Sequence, residues 1–235
     1  MSVRRAFGLV VFGLALANQP LPGLAQSERP DAVPEDLGRF RVARLQYAGG
    51  GDWYANPSSL PNLLEELEAR TGIRTHSDDV PVTLDDERLY SYPMLYATGH
   101  GTIRPTNADL ERLRRYLKAG GFLWVDDNYG LDDSFRAMAG QLFPDWPLQP
   151  VSSSHPIYRS FYDLPGLPKI HEHDGDRAQG FAIFDERGRM AVFYSWSSDI
   201  GDGLEDPAVH GDAPQIREAA MQMAVNVCVF ALTQP

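Results

Sequence analysis

Four ionisable side chains stand in a row at His171-Glu172-His173-Asp174. In an extended segment, alternate residues share a face, so His171 and His173 point one way and Glu172 the other. Two imidazoles so spaced can hold a divalent metal, or one can act as a general base. A second cluster runs from Asp199 to His210 and carries Asp202, Glu205 and His210 as further metal-ligand candidates. It lacks the ligand spacing of an EF-hand loop. Solvated polar turns would explain both clusters equally well. Three more polar groups each stand beside a glycine or a strand end. They are Asp52-Trp53-Tyr54 with Asn56 after Gly49-Gly50-Gly51, His100 between Gly99 and Gly101, and Asp126-Asp127-Asn128-Tyr129. Glycine permits positive φ and close approach of backbone, leaving amides free to meet a ligand.

Several chemistries are excluded by what is missing. No GxxxxGK[ST], GxGxxG after a strand, or GxSxG occurs, and the chain has only two lysines, Lys118 and Lys169. The one cysteine, Cys228, sits among Val225, Val227 and Val229 and reads as a core residue. A net charge of −11 gives no basic face for nucleic acid.

The elements that must position these groups alternate between strand and helix. Strand patterns occupy 40–47, 94–98 and 122–125, and each runs into one of the glycine or acidic segments. Leu60, Leu63, Leu64 and Leu67 fall on one helical face, and Thr106 and Asp109 form a capping box ahead of Leu110, Leu113 and Leu117. Residues 135–142 read as a third helix, and a last helix opens near Asp212 and Pro214. Two strands, 181–184 and 190–196, join through Glu186-Arg187-Gly188 as a hairpin. The pattern predicts an α/β fold. Its sheet is a three-layer, Rossmann-like or flavodoxin-like open sheet, mostly parallel, with an antiparallel hairpin near the C-terminus. In such sheets ligands bind outside the carboxyl ends of the strands, where the polar segments fall.

The N-terminus reads as an address. Arg4 and Arg5 precede a twelve-residue apolar run, Ala6 to Ala17, and Gly23-Leu24-Ala25 offers a cleavage site. The run falls short of the ~20 residues that span a bilayer. Residues 1–25 are expected to be a signal peptide, 26–39 a flexible tether and 40–235 a single α/β domain. The exported chain would be periplasmic or secreted, with no membrane span.

Five blocks in order resemble the bacterial domain-of-unknown-function family 4159. They are residues 40–67, Tyr92 to Gly101 (YPMLYATGHG), Gly120 to Gly130 (GGFLWVDDNYG), Lys169 to Gly175 (KIHEHDG) and residues 199–210. The resemblance implies a layout similar to the class I glutamine amidotransferase-like superfamily and brings no activity with it. Gly120-Gly121-Phe122 and His155-Pro156-Ile157 are also similar to trehalose-utilisation-like domains, as a fold-level analogy only.

Two functions fit. One is a hydrolase-like enzyme acting on a polar small molecule, a sugar being one choice. His100 or His171 would be its base, Asp127 would orient that base and Glu172 would stand beside it. A divalent metal would sit among His171, His173, Asp202, Glu205 and His210. The other is a non-catalytic module holding a ligand or an envelope protein on the same edge through Trp53, Tyr54, Tyr129 and Trp196.

Overall fold

The computed structural model describes residues 38–173 and 175–234; the expected signal peptide, most of the tether and Asp174 lie outside the described residues. Seven strands form one sheet in the order β2-β1-β3-β4-β7-β6-β5. They are β1 (Val42–Leu45), β2 (Val80–Val82), β3 (Met94–His100), β4 (Phe122–Tyr129), β5 (Gln149–Pro150), β6 (Gln179–Phe184) and β7 (Met190–Trp196). β2, β1, β3, β4 and β7 are parallel neighbours, whereas β6 runs antiparallel to β7 and to β5. The sheet is open, mostly parallel, and ends in an antiparallel C-terminal hairpin.

Side-chain alternation along these strands builds two cores. Val42, Met94, Tyr96, Phe122 and Trp124 face helices α1 (Ser59–Thr71) and α6 (Pro214–Thr233). Ala43, Leu45, Leu95, Leu123 and Val125 face α2 (Asn107–Lys118) and α3 (Asp132–Leu142). Leu60, Leu63, Leu64 and Leu67 of α1 are fully buried, each contributing roughly 1.5–3 kcal/mol. The Thr106/Asp109 capping box opens α2 as its sequence predicts. Helix α1 lacks a side-chain cap of its own at Ser58. Glu205 supplies one from far along the chain, its Oε1 accepting from the amides of Ser58 and Ser59 at 2.8 and 3.1 Å.

Two differences from the sequence expectation bear on the site. β4 runs on through Asp126, Asp127 and Asn128, and β3 through Gly99 and His100, where loops were expected. Pairing continues because Thr98 and Gly99 stand opposite Asp126 and Asp127, and because the acids have partners, given below. The Asp199–His210 segment is not a loop, and its first half is buried while Asp206 to His210 is exposed. It forms two short helices, α4 (Ile200–Leu204), buried throughout, and α5 (Pro207–His210).

Candidate functional site at the carboxyl edge

Alternation along β4 sends its two aspartates to opposite faces of the sheet. Asp127, on the α3 side, accepts from the Leu131 amide at 3.1 Å and so caps the start of α3. Asp126, fully buried on the other side, accepts from Ser195 Oγ and from the Gly201 amide at 2.7 Å. Burial pushes the Asp126 carboxyl up to about 7, against the pull of those two donors. Burial raises Asp127 as well. Ser195 also accepts from the Trp124 indole at 2.9 Å, which ties the core to the carboxylate.

The close approach of α4 to this strand needs glycine. A Cβ at Gly201 would stand 2.5 Å from Asn56 Nδ2 and 2.6 Å from the Tyr96 hydroxyl. Asn56 itself is held in the left-handed region, at φ 57. Its carbonyl receives Arg44 Nη2 at 3.1 Å, and Arg44 also binds the Ala55 carbonyl at 2.7 Å and Asp79 at 2.8 Å.

The three histidines of the two sequence clusters meet beyond the end of β7. His171 Nδ1 lies 3.0 Å from Asp202 Oδ2 and 3.9 Å from Asp199 Oδ2. Its Nε2 lies 3.0 Å from Asp212. His210 Nε2 stands 3.8 Å from Asp202 Oδ2. His173 Nε2 hydrogen-bonds Asp199 Oδ2, and its ring lies 5.1 Å from that of Tyr129. The other oxygen of Asp202 receives Asn128 Nδ2 at 3.1 Å, and Asn128 in turn receives Thr98 Oγ1 at 2.8 Å. Asp199 sits at φ 60 and is 1% exposed. Burial, then the neighbouring Asp126, Asp202 and Asp127, push its carboxyl up to about 9. Among the described residues, Asp199 Oδ1 and Asn56 Nδ2 are buried without a hydrogen-bond partner.

Other expected site residues are placed elsewhere. His100 pairs with Asp52, at 3.1 Å through its ring and again through its amide, so Asp127 does not orient it. This pair lies at the crevice between β1 and β3, where the strand order reverses. The glycine segments there serve each other. Gly51 N donates to the Thr102 carbonyl at 3.0 Å and Asp52 N to that of His100 at 3.2 Å, so these amides do not face a ligand. A Cβ at Gly99, with φ +130, would strike Asp52 and the Tyr47 hydroxyl. The glycine there serves packing, and Gly101, at φ +89, turns beside Gly51. Trp53 meets Tyr54 edge-on, and Tyr54 and Tyr129 are 64% and 52% exposed. Glu172 is exposed and accepts from the Gly175 amide at 2.8 Å. Glu205 is taken up by α1, and the two nitrogens of His171 lie against Asp202 and Asp212 and not against Asp127 or Glu172.

A family model described as "Domain of unknown function (DUF4159)" matches residues 41–232. The chain belongs to the DUF4159 family. No curated protein matches it. Within this DUF4159 domain, sequence reasoning missed Asp199, Asp212 and Ser195. The last helix opens at Pro214 with Ala213 as its N-cap residue, and Asp212, near which the sequence opens that helix, turns to His171. The signal for Asp199 was its place at the head of the Asp199–His210 acidic cluster, shortly after β7 ends at Trp196.

Proposed function

We propose that this DUF4159 chain is an exported, hydrolase-type enzyme acting on a polar small molecule, carbohydrates included, at the carboxyl edge of its sheet. The observation that carries the reading is the His173–Asp199 pair. A deeply buried carboxyl holds one nitrogen of an imidazole that lines a cavity of about 280 Å³ with Asp127, Asn128, Tyr129, Trp196 and Ser197. A base oriented by a buried acid is the arrangement general-base hydrolysis needs. Tyr129 and Trp196 offer ring faces to a sugar, and the Asp127 carboxylate lies on the cavity wall. In this role His173 takes the place that the sequence had assigned to His100 or His171.

The test is turnover across chromogenic glycosides, esters, phosphoesters and amides. One class is expected to react, with kcat/KM falling roughly 10²–10⁴-fold in His173→Ala. A second reading, a module that only holds a ligand or envelope partner, draws on the exposed Tyr54 and Tyr129. No turnover on any class, with a polar ligand bound equally well by wild type and His173→Ala, would establish that reading instead. Export is supported by Arg4, Arg5 and the apolar run after them. Intact-mass measurement of the extracytoplasmic protein should find an N-terminus near Gln26; a chain that retains Met1 rules out cleavage.

A further inference from the structure

We propose that His171, Asp202 and His210 form a three-ligand site for one divalent transition-metal ion of the zinc class, with Asp212 and Asn128 orienting the ligands. The proposal rests on the hydrolase reading for the ion's use, not for its existence.

The geometry suits such an ion. Metal–ligand bonds of about 2.0–2.1 Å in a tetrahedron place neighbouring donor atoms about 3.3 Å apart. The Asp202 carboxylate stands 3.0 Å from His171 Nδ1 and 3.8 Å from His210 Nε2, and the three donor atoms all lie within 4.8 Å of one another. Small side-chain shifts close the set around a single centre.

The surrounding shell has the form that ligating side chains require. A histidine that binds metal through one nitrogen donates its other N–H to a carboxylate, which fixes tautomer and ring orientation. His171 presents Nδ1 to the candidate centre and Nε2 to Asp212 at 3.0 Å. The ligating carboxylate is likewise held, because Asn128 Nδ2 occupies Asp202 Oδ1 and leaves Oδ2 to the centre.

An independent observation points to a missing positive partner. Asp199 Oδ2 lies 3.9 Å from His171 Nδ1, and its Oδ1 is buried with no hydrogen-bond partner among the described residues. A buried carboxyl oxygen left without a partner costs free energy, and a nearby cation would favour its ionised form and supply the missing charge. Asp199 also holds His173 through Oδ2. An ion held by His171, Asp202 and His210 would supply a bound water of lowered pKa. Two imidazoles and one carboxylate favour zinc or cobalt over manganese, calcium or magnesium, which prefer oxygen ligands.

The experiment is isothermal titration of the chelator-stripped full chain with zinc, cobalt, manganese, calcium and magnesium chlorides. Zinc is expected to bind with one ion per chain, and His210→Ala to weaken it at least tenfold. Asp212→Asn should lose roughly 10–100-fold, as outer-shell partners of ligating histidines do. His210 is the exposed last residue of α5, so its variant keeps the fold by circular dichroism even where His171→Ala does not. His173→Ala should keep its zinc while losing turnover. Absence of zinc and cobalt binding in wild type overturns the site even if the chain proves hydrolytic. So does unchanged affinity in folded His210→Ala. Zinc bound without turnover of any substrate leaves the site standing and removes the hydrolase reading.

Discussion

Asp126→Asn is expected to stabilise the protein above neutral pH and to do little near pH 4. Unfolded, an aspartate titrates near 3.9; buried in β4, Asp126 is pushed up to about 7. Below pH 4 both states hold the proton, and the carboxyl imposes no penalty. As pH rises from 4 to 7 the unfolded chain releases its proton while the folded chain keeps it. Stability therefore falls, and it levels off once the folded carboxyl ionises above 7. A displacement of about three pH units corresponds to a loss on the order of 4 kcal/mol. Asparagine removes that loss and fits the same contacts. Its oxygen can accept from Gly201 N, and its amide can donate to Ser195 Oγ, which already accepts from Trp124. Among its charged neighbours Asp126 raises Asp199 most, so the variant lets Asp199 ionise more readily. Urea unfolding from pH 4 to 8 with chelator present should show the two stability curves diverging with pH. Parallel curves would mean that Asp126 is ionised in the fold throughout.

The same carboxylate shows how far the sequence could be read. The apolar stretches of β3 and β4 and the leucine stripe of α1 announce themselves because burial on both faces, or on one helical stripe, dictates residue type. Asp126-Asp127-Asn128 looks like the end of a strand because a strand interior normally excludes charge. It continues as strand because Ser195, Gly201, Leu131 and Asp202 lie ready to bond those side chains, and these partners are remote in sequence or on another element. Helices α4 and α5 were hidden for a similar reason. Gly201, Gly203 and four acids within Asp199 to Asp206 carry the composition of a loop, and only the tertiary pairing of Asp202 and Glu205 makes burial tolerable. β2, three residues at the sheet edge with Pro81 at its centre, carries too short a pattern to register. The site residues themselves were visible as types. Their pairings were not, because His171 meets Asp202 and Asp212 across 31 and 41 residues of chain.

Arg44→Met should produce a second large effect, this time through backbone. Arg44 sits in β1 with 5% exposure, in a strand where its neighbours Ala43 and Leu45 are core residues. Its guanidinium uses its fork fully, pairing with Asp79 and donating to the carbonyls of Ala55 and Asn56. Methionine fills much of the volume but leaves one carboxylate without its charge partner and two carbonyls without donors. Breaking a buried ion pair from one side costs about 3–5 kcal/mol. The loss falls on the turn that places Asn56 against Gly201, and through it on the seating of α4 that carries Asp202. Arg44→Lys keeps the charge but, as a point donor, cannot reproduce three acceptors in one plane, so it should fall between wild type and Arg44→Met. Chemical denaturation gives the stability order. Hydrogen exchange of residues 200–204 gives the local consequence, with protection expected to drop more in Arg44→Met than the global loss accounts for. Equal loss of protection across β4 and α4 would place the damage in the whole fold and detach Arg44 from the site.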